Sequence, residues 1–142
     1  IRKRWFSKRK GLATLLRDSD FVTLHTVLSK DTYHYFNDDK FKLMKSSAIL
    51  INTSRGPVVD PAALHRALTA GTIAFAALDV TEPEPINMDS PLLALDNIII
   101  APHIASASFN SRNKMATMAA ANLSAGLKGE RLPNCVNPQV YE

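Results

Sequence analysis

The sequence predicts an α/β fold built on a parallel sheet, and three observations support that expectation. Short apolar runs of strand length alternate with segments of helical period, in the manner of βα units. The runs are close to continuously apolar, as in a parallel sheet with both faces covered. Polar residues follow the runs directly, at the carboxyl ends of the strands where such sheets bind ligands.

The elements follow in order. Gly11 to Ser19 reads as a short helix with Leu12, Leu15 and Leu16 on one face, and Phe21 to Thr26 (FVTLHT) as a strand. Asn37 and Asp38 can cap a short helix running through Met44 and ending at Lys45, whose charge suits the C-terminal dipole. Ala48 to Asn52 (AILIN) is a buried-strand run. Asp60 followed by Pro61 is a cap plus a first-turn proline. The helix from Pro61 to Ala70 turns Ala63, Leu64, Ala67 and Leu68 inward and stops at Gly71. Ile73 to Val80 is the next strand, the proline-rich stretch Thr81 to Pro91 a loop, and Ile98 to Ile100 a further strand. A long alanine-rich helix spans about Ser108 to Lys128, with Met115, Met118, Ala119, Asn122 and Leu123 near helical spacing, and a Pro- and Asn-rich tail follows Gly129.

Composition narrows the functional classes. The 142 residues include 17 Lys plus Arg and 13 Asp plus Glu, with 46% hydrophobic and 21% charged residues, as in an ordinary globular domain rather than a disordered chain. No apolar run approaches the roughly 20 residues of a membrane helix, so a transmembrane protein is not expected. The single cysteine, Cys135, excludes an internal disulfide and a cysteine-based zinc cage, and a cytoplasmic setting is the expectation. Six cations (Arg2, Lys3, Arg4, Lys8, Arg9 and Lys10) sit in the first ten residues, so the formal charge of +4 becomes −2 for the rest. A basic run with Trp5 and Phe6 interleaved could touch nucleic acid or a membrane surface, but a solvated or truncated end is the simpler reading. Neither nucleic acid nor membrane is expected as a partner.

The polar residues after the strands are His25 and Thr26, then Thr53, Ser54 and Arg55, then Asp79, then His103, all on one rim. Arg55 has a planar fork able to hold a carboxylate or keto group in two hydrogen bonds, although a surface arginine at a turn would look the same. His103 follows Pro102, which biases Ala101 toward extended geometry and fixes where the ring emerges. An imidazole beside a carboxylate favours the charged form, and such a group can give a proton to a carbonyl oxygen and take it back. Glu84, stiffened between Pro83 and Pro85, is the candidate partner and Glu82 its rival. Asp79 could accept a hydrogen bond from an amide or cap the following turn. There is no GxGxxG, no HExxH and no ligand spacing among His25, His34, His65 and His103, so no metal site is expected. On residue chemistry alone the claim stops at a carbonyl–alcohol site on an α/β scaffold.

Beyond that point the sequence resembles the D-isomer-specific 2-hydroxyacid dehydrogenase family from about Leu15 to Tyr141. The resemblance rests on Asp20 to His25, Met44-Lys45, Ile49 to Gly56, Val59-Asp60, Leu78-Asp79-Val80, Glu84-Pro85 and Pro102-His103-Ile104. The wording LDVTEPEP, SPLLAL and the ending NLSAGLKGERLPNCVNP are similar to the glyoxylate and hydroxypyruvate reductase branch. The resemblance implies the second half of a doubly wound, Rossmann-type NAD(P)-binding domain over residues 1–107, followed by a C-terminal helix and tail over residues 108–142. The glycine-rich phosphate loop and the substrate domain are absent from this chain. It implies reduction of a 2-keto acid to a D-2-hydroxy acid, with Arg55 anchoring substrate, His103 as acid/base and Glu84, five positions after Asp79, as its partner. Thr26, Val27, Thr32, Thr53, Ser54, Arg55, Asp79 and His103 fall on cofactor-lining positions, Val27 standing where the family usually has proline. The basic run could hold a 2′-phosphate, leaning the choice of NAD or NADP toward NADP. Relatives are commonly dimers, so a homodimer is expected of the full-length protein. The alternative is a truncated, catalytically incompetent relative serving as an interaction module, and the isolated fragment is expected to be inactive.

Overall fold

The computed structural model describes residues 11–142. The basic run, on which the NADP preference and the nucleic-acid alternative rest, lies outside the described residues. The chain forms two compact units, one ending at His103 and one running Ile104–Glu142.

In the first unit, four parallel strands stand in chain order across one sheet: β1 (Phe21–Leu24), β2 (Ile49–Asn52), β3 (Phe75–Leu78) and β4 (Ile98–Ile100). Leu24, Asn52, Leu78 and Ile100 lie in register at the carboxyl edge, so the segments that follow each strand leave from one rim. The connecting helices are α1 (Leu12–Asp18), α2 (Asp38–Phe41) and α3 (Pro61–Thr69). Right-handed crossovers advancing in one direction place every connecting helix on the same face of the sheet. The burial follows that rule. Val22, Leu24, Leu50, Ala76 and Leu78 form one core with Phe41 of α2 and with Ala63, Leu64, Ala67 and Leu68 of α3. The opposite face is only partly covered, with Phe21 67% and Ile99 60% exposed. The expected covering of both faces is therefore not what this unit shows. Among the described residues, its strands alternate buried positions with open ones in β1 and with part-buried ones in β2 and β3, because the helices of a one-way progression all lie on the first face.

α3 matches its sequence signals closely. Asp60 accepts hydrogen bonds from the Ala62 and Ala63 amides at 2.9 and 3.2 Å, and Pro61 fills the first turn where no donor is needed. At the other end Gly71 takes a left-handed φ of 65°, and the Thr72 amide reaches back to the Ala67 carbonyl at 2.8 Å. α2 is shorter than expected. It stops at Phe41, after which the Leu43 and Met44 amides bond three residues back instead of four. Asn37 holds the cap position but makes no side-chain cap bond, and Lys45 pairs with Asp20 at 2.8 Å instead of capping a helix end. β1 ends at Leu24 rather than Thr26, because its register partner Asn52 is the last residue of β2. Pro91–Ala94, read as the end of a loop and beyond, forms a 3₁₀ turn whose Leu92 joins the core.

The second unit is α4 (Phe109–Leu127) with the tail folded against its C-terminal half. Ser108 accepts from the Ser111 amide at the start. Gly129, at φ 70°, ends the helix with the Glu130 amide on the Ala125 carbonyl at 2.9 Å. The Asn134 amide donates to the Asn122 side chain and the Leu132 amide to the Tyr141 hydroxyl. The apolar spacing noted along this helix does not produce a buried stripe: Met115 and Leu123 are exposed and Ala125 is the buried residue of α4. Among the described residues, no helix is long and apolar enough to cross a membrane.

Candidate active site

The strand exits build the site. Asn52 is the last residue of β2 and is fully buried, with every polar atom of its amide used. Its Nδ2 donates to the Arg55 carbonyl at 2.9 Å, and its Oδ1 accepts from the Ser54 amide at 3.0 Å and the Ser54 hydroxyl at 2.8 Å. The turn that carries Arg55 is thus fixed from within. Gly56 comes next and presses on the exit of β3: a Cβ there would stand 1.8 Å from the Thr81 carbonyl oxygen. Only glycine permits that approach.

Two cavities open at this rim. One, of about 400 Å³, is lined by Asp79, Thr81, Glu84 and His103, with Ile86, Ile100 and neighbouring residues as its apolar walls. The other, of about 410 Å³ and far more polar, lies at the exits of β1 and β2 and is lined by His25, Thr26, Val27, Thr53, Ser54 and Arg55. In the first, His103 Nδ1 lies 2.5 Å from Glu84 Oε1, both side chains part-exposed to the cavity. His103 has a left-handed backbone, φ 55°, and its amide bonds back to the Ala101 carbonyl at 3.0 Å, so the chain turns sharply to present the ring. Asp79 is buried in the same wall and its amide donates to the Asn52 carbonyl at 2.9 Å.

The structure therefore brings Asp79, Glu84 and His103 together, and groups Thr26, Val27, Thr53, Ser54 and Arg55 separately. Among the described residues no hydrogen bond or ion pair joins Arg55 to His103; Arg55 Nη1 donates to the Ser54 carbonyl at 2.6 Å. Thr32 lines neither cavity. Its hydroxyl accepts from the Ser29 amide and donates to the Val27 carbonyl, both at 2.7 Å, and so shapes the loop that carries Val27. Glu82 is not a solvated rival to Glu84: it meets His34 Nε2 at 2.6 Å, with the Tyr33 ring stacked on the imidazole at 4.0 Å. Desolvation, then the Glu82 carboxylate, holds the Tyr33 phenol above its usual range. Sequence reasoning assigned no role to Asn52 or His34. An asparagine between an apolar run and a Ser-Arg-Gly turn was a readable signal for the first. Nothing local signalled the second, whose partner is 48 residues away. Among the described residues no cluster of His, Cys, Asp or Glu could hold a metal ion.

A parallel sheet whose rim carries an imidazole–carboxylate pair beside a polar cleft is a setting for acid–base chemistry on a ligand bound at the strand ends. Residues 3–105 match the family model of the D-isomer specific 2-hydroxyacid dehydrogenase NAD binding domain, and the chain belongs to that family. It is 51% identical to a glyoxylate reductase of Korarchaeum cryptofilum, over all of this chain and 44% of that protein. It is 50% identical to a glyoxylate/hydroxypyruvate reductase B of Escherichia fergusonii, over 97% of this chain and 43% of that one. Its fold is similar to the crystal structure of the TT0316 protein from Thermus thermophilus, with a TM-score of 0.87 and 43% identity over 96% of this chain and 43% of that chain. The chain thus spans less than half the length of the curated relatives it matches.

Proposed function

We propose that the full-length protein containing this chain reduces a small 2-keto acid, of the glyoxylate or hydroxypyruvate type, to a D-2-hydroxy acid with NADH or NADPH. The observation that carries this reading is the His103–Glu84 contact of 2.5 Å on the wall of a cavity that Asp79 also lines. The residues present suit a nicotinamide nucleotide. One cavity offers apolar walls with a few converging polar groups, and the polar cavity beside it offers hydroxyls and an arginine at the neighbouring strand exits. Asp79 would meet the carboxamide, while Thr26, Val27, Thr53 and Ser54 would line the nucleotide and Thr32 would hold that wall through its own loop. When bound, the nicotinamide supplies the hydride.

The chain's own residues supply the rest. Glu84 holds Nδ1 of His103, which leaves Nε2 as the nitrogen that gives a proton to the carbonyl oxygen in reduction and takes it back in oxidation. The same contact selects the tautomer and orients the ring. Arg55 would grip the substrate carboxylate. It follows β2 and His103 follows β4, two strand spacings or about 10 Å apart, a gap that two long side chains and a small acid between them can close. Replacing His103 by alanine in the full-length protein should lower keto-acid turnover about 10²- to 10⁴-fold with dinucleotide binding intact. Unchanged turnover would refute the assignment. Sedimentation of the same protein tests the homodimer that the family resemblance implies.

A further inference from the structure

Glu82 and His34 lie outside the chemistry just described, yet they occupy a mechanically sensitive place. His34 is tied by its backbone to the turn after β2. Its amide donates to the Pro57 carbonyl at 2.8 Å, and Phe36 continues the contact through the Val58 carbonyl at 3.0 Å and the Asp60 amide at 3.0 Å. Its φ of 48° is left-handed, a conformation that a non-glycine residue holds only where its surroundings impose it. From that anchor the imidazole reaches the third loop of the rim, meeting Glu82 at 2.6 Å, while Tyr33 covers its face. Glu82 is separated from Glu84 by Pro83 alone, whose ring fixes φ, and the Thr81 hydroxyl donates to the Pro83 carbonyl at 2.8 Å. A shift at Glu82 therefore reaches Glu84 with little slack.

We propose that Glu82 and His34 are a positioning pair: by clamping the loop after β3 to the turn after β2, they hold Glu84 at the distance from which it orients His103. The inference rests on the reductase reading for its kinetic consequences, but its structural claim does not. The pair is part-exposed, 32% for His34 and 26% for Glu82, and an ion pair so placed adds little to stability. Its effect belongs in turnover, because a displacement of about 1 Å at a catalytic group can cost far more in rate than in folding free energy.

The test uses the full-length protein with Glu82→Ala, Glu82→Gln and His34→Asn. Asparagine tolerates the left-handed backbone and is too short to reach Glu82, so it breaks the pair even where the alanine variant folds poorly. We expect Glu82→Ala and His34→Asn to lower kcat about tenfold, with KM for both substrates and the melting temperature nearly unchanged. Glu82→Gln, which keeps an oxygen for the imidazole N–H, should recover most of the loss. The readout independent of turnover is the far-downfield proton resonance of the short His103–Glu84 hydrogen bond, expected in wild type and Glu82→Gln and lost or broadened in the other two. An intact downfield proton in both pair-breaking variants overturns the proposal, as does a kcat loss that glutamine does not rescue. Absence of keto-acid turnover in wild type would instead sink the reductase reading and leave the resonance to decide this one.

Discussion

Two histidine–glutamate pairs hang from one short loop, Glu82 to Pro85, and they are built from the same parts. Each joins a histidine in the left-handed region, His34 or His103, to a glutamate of that loop at 2.6 or 2.5 Å. What separates them is surroundings. His103 and Glu84 line a cavity shared with Asp79, whereas His34 lies under the Tyr33 ring and is bound through its amide to Pro57. In the reading proposed above, the pair that lines the open cavity with Asp79 transfers a proton, and the pair whose imidazole is covered by an aromatic ring acts as a clamp. Residue type alone does not assign a task to an imidazole; access does.

The widest expected gap between the two pairs comes from one substitution made at both. Glu84→Gln in the full-length protein should lower kcat roughly 10²-fold, because the amide keeps an oxygen for the ring N–H but not the negative charge beside the group proposed to transfer the proton. Glu82→Gln should stay within about threefold of wild type. Equal losses in steady-state kinetics would erase the distinction. Next in size is Gly56→Ala, which acts on the support common to both pairs. Its Cβ would stand 1.8 Å from the Thr81 carbonyl oxygen, so the loop must move, at about 3 kcal/mol by analogy with overpacked cores. Urea unfolding measures this, and a midpoint equal to wild type would mean that the rim tolerates the shift.

Asn52→Ala sharpens the comparison from the other cavity. It removes three hydrogen bonds behind Arg55 at a cost of about 1–3 kcal/mol. KM for the keto acid should rise more than kcat falls, since the grip on substrate loosens while both histidine pairs stay in place. An unchanged KM would count against a substrate-holding role for Arg55. The smallest effect is electrostatic and involves neither pair. Arg66 meets Asp38 at 3.1 and 2.6 Å and holds that carboxyl below its ordinary value of 3.8. Because the folded value is lowered, the stabilisation is present above the ordinary value and is lost as pH falls through the folded one. The melting-temperature difference between wild type and Asp38→Asn should close on acidification, and a difference that persists would assign it to packing.

Much of this was legible in the chain. Asp60-Pro61 and Gly71 bracket α3 because capping is a local matter, settled by a side chain and the few amides beside it. Four apolar runs gave four parallel strands for a similar reason. The candidate site was legible in part: Glu84 and His103 do meet, and Asp79 joins them in one cavity. The helix after Asn37 is shorter than its sequence pattern predicts because its last turn tightens to three-residue bonds that helical period does not reveal. The helical spacing of apolar positions along α4 is legible in the chain, but periodicity reports which residues share a face and not whether anything meets that face.

The sequence by itself determined the strands, the α3 caps and the order in which polar residues leave the sheet, since each depends on neighbours a few residues away. Only the tertiary structure decided which sheet face is covered, because that follows from the direction in which the crossovers advance. It alone also decided that Gly56 must lack a side chain, that Asn52 holds the arginine's turn, and that Glu82 belongs to His34 and Glu84 to His103. Those pairings join residues tens of positions apart, and proximity of that kind is created by strand register rather than by spacing along the chain.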